Sequence, residues 1–273
     1  MVAFPERILE HHGKVSLSTN TVAILGCGSV GSLTAWAIAS AGVGTLLLAD
    51  KDRVEVKNLR RHVCGADSIG ERKPVAVAHY LASRFPTLRV ETYSFDFLSN
   101  PETLRGLLAR CSVASVAVDV EAPKHLIDGM ARELNRPVIY AGVYGGGWAG
   151  EVILTCADTP CYGCTARNLG RVGVNVELEV GSEYALPLNG VPESHWPLAD
   201  LTSLMPVAAF SARLVSALMK SQHGEHSELN EFMRGGTNAW RLLFRDVPEW
   251  GDIGSLIRSD IRRDANCWTC GKV

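Results

Sequence analysis

The stretch from Thr21 to Lys73 constrains this chain more than any other. An apolar strand over residues 21–25 runs into Gly26-Cys27-Gly28-Ser29-Val30-Gly31, and a periodic helix is expected from about Ser32 to Ala41. A second apolar strand, residues 45–49, then ends at Asp50. Strand, glycine turn, helix, strand, acid is the order of a nucleotide-binding βαβ unit. Gly26, Gly28 and Gly31 let the backbone close tightly and approach phosphate, and the helix N-terminus offers free N–H groups at its positive dipole end. Asp50, at the strand tip, is placed to accept hydroxyl hydrogens from a ribose. The glycine pattern alone most often marks a dinucleotide cofactor, so a nicotinamide dehydrogenase stays open at this point.

The rest of the 273 residues set that unit in a larger sheet. Helical spacing over 72–84, 102–109 and 123–134 alternates with strand-like runs at 88–95, 112–118 and 137–141. Asn100 stands where the second of these helices would be capped. Such alternation predicts an α/β, Rossmann-like, doubly wound and mostly parallel sheet. Beyond residue 142, glycine turns and strands (151–156, 240–244) predict an antiparallel C-terminal extension. The length fits one domain of 1–273: an N-terminal arm (1–20), a nucleotide-binding core (21–166), a crossover segment poor in periodicity (167–204), and a helix, strands and tail (205–273). The helix, residues 205–220, is apolar on most of its surface and is expected to be buried. His11 and His12 are adjacent, diverge on a helix, and make a poor ligand pair.

Composition narrows the partners. With 47% hydrophobic and 21% charged residues the chain reads as soluble and globular. A net charge of −2 argues against nucleic acid, which calls for a basic face. The apolar runs read as strand-sized, predicting no membrane span, and the first residues do not resemble a secretory signal. A cytoplasmic location is expected.

The run beyond Asp50 changes the ligand. A dehydrogenase needs the acid but has no use for Asn58 and Arg61, which share a face if the run is helical and could hold an anionic tail. Asp52 lies in the same run, Lys73 comes after the turn at Gly70, and Asp119 stands at the carboxyl end of a later strand, where open α/β sheets bind ligands. A carboxylate facing a cationic phosphate clamp suggests Mg²⁺. Each residue also has a plainer reading: Arg60, Arg61 and Lys57 as a solvated turn, Lys73 as a first-turn residue, Asp119 as a helix cap. Together, in this order, they favour a triphosphate.

Eight cysteines include two C-x-x-C pairs, Cys161/Cys164 and Cys267/Cys270. Four thiolates in two pairs match a closed, structural tetrahedral zinc site; a redox pair or buried thiols are the alternatives.

The sequence G-x-G-x-x-G, then D-x-D-x-V-x-x-x-N-L-x-R, then G-x-x-K, then a strand-end Asp resembles the ubiquitin-activating-enzyme-like adenylating superfamily (ThiF/MoeB type). The likeness covers roughly residues 5–170 and the terminal cysteine pair. It implies ATP and Mg²⁺, a homodimer, and adenylation of the C-terminal carboxylate of a ubiquitin-like or sulfur-carrier protein ending in Gly-Gly. By motif, Gly26, Gly28, Gly31, Asp50 and Asp52 would lie at the nucleotide, with Asp50 on the ribose. Asn58, Arg61 and Lys73 would bind phosphates, and Asp119 would hold Mg²⁺; Arg61, Lys73 and Asp119 would carry the catalysis. Lys124 stands where the family usually has Arg. Arg7 is the candidate for an arginine reaching into the partner subunit's site. The resemblance also has Cys₄ zinc.

One departure matters. Many members carry a thioester-forming cysteine after the first zinc pair, whereas residues 165–266 here contain none. Cys64, just after the Asn58–Arg61 run, is the one unpaired cysteine worth testing. Adenylation without a covalent thioester is therefore expected. A tRNA-modifying dehydratase of the same superfamily and a non-catalytic partner subunit are the rival readings; the zinc pairs and mild acidity count against the first, and the intact phosphate-binding residues against the second.

Overall fold

The computed structural model describes residues 15–169, 199–246, 251–267 and 269–271. Arg7, His11, His12 and most of the expected crossover lie outside them. Among the described residues, β1 (Thr21–Leu25), β2 (Thr45–Ala49), β3 (Arg89–Tyr93), β4 (Val113–Val116), β5 (Val138–Val143), β6 (Ala149–Thr155), β7 (Thr237–Leu243) and β8 (Leu256–Asp260) form one sheet. Its order is β3-β2-β1-β4-β5-β6-β7-β8. The first five strands pair in parallel, and β6, β7 and β8 continue antiparallel, as the change of pattern after residue 142 implies.

The helices are α1 (Ser29–Ser40), α2 (Lys73–Ala82), α3 (Pro101–Arg110), α4 (Glu121–Glu133), α5 (Tyr162–Asn168), α6 (Leu201–Gln222) and α7 (Ser227–Phe232). Alternate residues of each central strand serve opposite faces. Val22 and Ile24 of β1 and Leu46 and Leu48 of β2 pack with α1, α2 and α6. Ala23, Leu25, Leu47 and Ala49 pack with α3, α4 and α5. Both faces of the parallel half are thus covered, which is why these strands read as continuous apolar runs.

Several boundaries differ from expectation, each for a local reason. Helix α1 begins at Ser29, because the tight turn is complete by Gly28. Asn100 occupies the N-cap of α3 but makes no side-chain cap; its Nδ2 instead donates to Asp96 O at 3.1 Å. Helix α6 starts at Leu201 rather than 205, where the Asp200 carboxylate accepts from Thr202 N and Ser203 N. The crossover of 167–204 therefore overlaps the first turn of that helix.

The apolar runs are not all strand-sized. Helix α6 is long and apolar enough to cross a bilayer by length and composition, with a mean hydropathy of 1.5. It lies on β5, β6 and α1 instead, with Val207, Leu214, Val215, Leu218 and Met219 in the core. The sheet admits it because β6 has a glycine at the crossing: a Cβ on Gly150 would come within 2.0 Å of Val207 Cγ2. Gly150→Ala is expected to cost about 1–3 kcal/mol through overpacking, read as a lower urea midpoint at unchanged slope.

Candidate active site

The chain leaves β1 and β4 on opposite sides of the point where the strand order reverses, so a crevice opens at their carboxyl ends. Gly26 lines it at φ +96°, and a Cβ there would lie 2.5 Å from Ala117 O. A Cβ on Gly31 would lie 1.9 Å from Gly26 O, so the third glycine seats α1 on its own turn. A Cβ on Gly28 would meet nothing within 4 Å, so that glycine faces open space. The three glycines thus divide the tasks of turning, approach and packing.

Asp50 holds this turn. Its Oδ2 accepts from Cys27 N at 2.7 Å and its Oδ1 from Asp52 N at 2.8 Å. Asp52 in turn carries Lys73, whose Nζ lies 2.9 Å from Asp52 Oδ2 and whose main-chain N–H donates to Asp52 O. Burial pulls the Lys73 ammonium pKa down, but Asp50, Asp52 and Asp119 outweigh it and leave it above its ordinary value. Lys73 is therefore a firm cation, and more than a polar first-turn residue.

Residues 56–58 form a 3-10 turn, and Arg61 N donates to Asn58 O. Asp50 and Asn58 are each 8% exposed and Arg61 is 5%, whereas Lys57 and Arg60 are exposed. The run is thus split, with Arg61 turned inward and its neighbours solvated. Asn58 Oδ1 accepts from Glu55 N, leaving its amide N–H₂ as the end that can donate to a ligand.

Asp119 lies beyond the end of β4 and does not cap α4, whose N-cap position is Val120. Asp119 is exposed as a residue, yet the protein packed around its carboxyl raises its pKa, against the pull of Lys124, Arg61 and Lys73. Because the residue is exposed, this shift implies little stability cost. The important point is that one carboxylate senses Lys124, Arg61, Lys73 and Asp50 at once. Of the residues expected at a nucleotide, Asp50, Asp52, Arg61, Lys73 and Asp119 thus lie within reach of one another's charge, with Lys124 beside them; Arg7 lies outside the described residues.

The sequence carries almost no sign of His62. Its Nε2 lies 2.8 Å from Cys27 O, and its Nδ1 accepts from Cys64 N at 3.2 Å, which fixes the proton on Nε2. Its only sequence signal is its position next to Arg61. Cys64 is buried, and burial, with Glu71 and Asp67, pushes its thiol up to about 12. That makes it a weak nucleophile at neutral pH.

Away from the crevice, the Sγ atoms of Cys161, Cys164, Cys267 and Cys270 all lie within 4.8 Å of one another, and all four residues are buried. The pairs Cys161–Cys267 and Cys164–Cys270 are each 3.5 Å apart. Four sulfurs at tetrahedral corners with bonds of about 2.3 Å sit about 3.8 Å apart, so this donor set could hold a zinc ion.

A glycine turn braced by a strand-end carboxylate, at the switch point of a doubly wound sheet, defines a Rossmann-like nucleotide-binding protein. The chain belongs to the ThiF family, which matches residues 5–227. It is 33% identical over 250 residues to ubiquitin-like modifier-activating enzyme 5 of Drosophila persimilis, covering 87% of this chain and 62% of that protein. It is 30% identical over 153 residues to the sulfur carrier protein ThiS adenylyltransferase of Escherichia coli K12, covering 56% and 60%. Against the adenylyltransferase and sulfurtransferase MOCS3 of Dictyostelium discoideum the figures are 30% over 156 residues, 56% and 35%. The chain thus spans between about a third and just under two thirds of these relatives. The crystal structure of E. coli MccB with ATP shares the fold at a TM-score of 0.67 and 19% identity, over 97% of this chain and 69% of that one.

The neutral His62 gives a pH test. Burial lowers its pKa, with Lys73 and Arg61 adding to the shift. As pH falls through about 6.5 the unfolded chain takes up a proton that the folded one refuses, so stability falls with acid. His62→Gln is expected to flatten this loss between pH 7 and 5.5 in urea denaturation.

Proposed function

We propose that this chain uses ATP to adenylate the C-terminal carboxylate of a small ubiquitin-like or sulfur-carrier protein ending in Gly-Gly, releasing pyrophosphate. The observation that carries the reading is the meeting of Arg61, Lys73, Lys124, Asp50 and Asp119 at the strand ends beside the glycine turn. In this reading Gly26, Gly28 and Gly31 shape the turn, and Asp50 and Asp52 lie at the nucleotide, with Asp50 on the ribose. Asn58, Arg61 and Lys73 hold the phosphates. Arg7 of a second copy would reach the same site in a homodimer. Membership of the ThiF family and the names of the adenylyltransferase relatives support this assignment.

The chemistry is set by charge. A carboxylate is already ionised at neutral pH, so the attack on the α-phosphorus needs no general base. As its oxygen bonds to phosphorus, the bond to the bridging oxygen breaks and the electron pair leaves with pyrophosphate. Arg61 and Lys73 offset the repulsion between the two anions and the charge growing on the leaving group. Alignment of the reactants removes much of the entropic barrier. The three carboxylates Asp50, Asp52 and Asp119 face the three cations Arg61, Lys73 and Lys124, so the side chains alone do not neutralise a triphosphate. Mg²⁺ at Asp119 would supply the missing positive charge.

We further take 1–273 to act as one adenylation unit, with the crossover segment ending at the start of α6, and the four cysteines to hold a structural zinc. Reduced thiolates suit a cytoplasmic setting. With no cysteine between residues 165 and 266 and Cys64 buried, the acyl-adenylate passes to another nucleophile without an enzyme thioester.

ATP–pyrophosphate exchange with candidate carriers ending in Gly-Gly tests the reaction. Arg61→Ala, Lys73→Ala and Asp119→Asn are each expected to lower exchange by about a hundredfold or more, while Cys64→Ala leaves it within about twofold. No exchange with any carrier, together with tight NAD binding, would overturn the reading. Elemental analysis is expected to give about one zinc per chain, lost together with several degrees of melting temperature in Cys267→Ser.

A further inference from the structure

Tyr162 lies between the two ligands of the first cysteine pair and is fully buried. Its ring packs against Tyr140, with centroids 4.4 Å apart, and edge-on against His125. Its hydroxyl donates to Glu121 Oε2 at 2.8 Å. The other oxygen of the same carboxylate accepts from Lys124 Nζ at 2.7 Å. We propose that the four-cysteine cluster positions Lys124 in the active-site crevice, acting through Tyr162 and Glu121. The two acting residues are positioning residues, since each is argued to act through the next, Tyr162 on Glu121 and Glu121 on Lys124.

The physical reasons are local. A lysine ammonium rides on a flexible four-carbon stem and wanders unless something fixes it. Glu121 sits in the first turn of α4, three residues before Lys124, so the pair forms along one helix face. A carboxylate held on one oxygen by a phenol and on the other by an ammonium cannot swing away without leaving a buried group unsatisfied. The phenol is equally constrained, because α5 has seven residues and is too short to be stable alone. The cysteine set anchors the start of α5, beside the burial of Tyr162 and Ala166 in the core: Cys161 caps the helix, accepting from Cys164 N, and both cysteines face Cys267 and Cys270. Disturbance of the cluster therefore moves Tyr162 directly and reaches Glu121 through one hydrogen bond and Lys124 through two. Lys124 exerts the largest of the charge effects on Asp119, so its position is felt where the phosphates are proposed to bind.

The nucleotide consequence rests on the adenylation reading; the positioning itself does not, and the test separates them. Tyr162→Phe keeps the ring and removes one oxygen. Trace acetylation of the purified, metal-loaded chain, read by mass spectrometry, measures how freely Lys124 reacts relative to Lys51 and Lys73. Tyr162→Phe and Glu121→Gln are each expected to raise Lys124 labelling about threefold or more, with metal content and melting temperature unchanged. In exchange assays Tyr162→Phe is expected to raise the KM for ATP about fivefold, with carrier KM unchanged and no further effect in a Lys124→Ala background. Unchanged Lys124 labelling in metal-replete Tyr162→Phe would overturn the proposal. So would an equal KM effect in the Lys124→Ala background, or loss of metal from Tyr162→Phe, which would mark the tyrosine as a fold residue only. Wild-type protein inactive in exchange but with the expected labelling change would overturn the adenylation reading alone.

Discussion

The Asp50 carboxylate fixes the geometry on which the crevice depends. Its two oxygens accept the N–H groups of Cys27 and Asp52, so a single side chain ties the turn after β1 to the run after β2. Charge-assisted bonds of this kind are shorter and stronger than neutral ones. His62 takes the other end of the same residue by bonding Cys27 O. Cys27 is thus pinned through both its N–H and its C=O, and Gly26 and Gly28 on either side inherit a fixed path. Asp52 carries the constraint onward to Lys73 at the first turn of α2. The glycine turn is rigid because its anchors are a carboxylate and a neutral imidazole, each held on two sides.

The first half of the fold was legible because its signals are local. Strand ends, glycines and helix starts succeed one another within twenty residues, and the switch from alternating to antiparallel elements shows as a change of period. The grouping of Arg61, Lys73 and Asp119 was legible from spacing: Arg61 three residues after Asn58, Lys73 at the start of a helix, Asp119 at the end of a small-residue strand. Spacing singled out Arg61 over Arg60, and the burial of Arg61 beside an exposed Arg60 agrees with it. His62 and the Tyr162–Glu121–Lys124 chain were hidden. They join segments far apart in sequence, and no periodicity reports such a pairing. Asn100 failed as a capping residue because a nearby carbonyl, Asp96 O, was the better partner for its amide. The full length of α6 was not legible in the sequence because small and hydroxyl residues interrupt its apolar character without breaking the helix.

Charge in the crevice is balanced rather than uniformly basic. Lys73 stays protonated in a partly desolvated place because three aspartates face it, and Asp119 tolerates its surroundings because the residue is exposed. Such an arrangement leaves no large unpaired charge among these side chains. A polyanion would then be selected by geometry, meaning the N–H groups of the glycine turn and the fork of Arg61, more than by bulk attraction. The near-neutral net charge of the chain agrees with that.

The four cysteines have a consequence for the chain before it folds. The two pairs are separated by about a hundred residues, which contain α6, β7 and β8. An ion held by all four thiolates closes that stretch into a loop, and closing a loop of this size removes about 4–5 kcal/mol of conformational freedom from the disordered chain. That cost keeps the four thiolates apart in the disordered chain, so such an ion would bind the folded form almost alone and favour it by mass action.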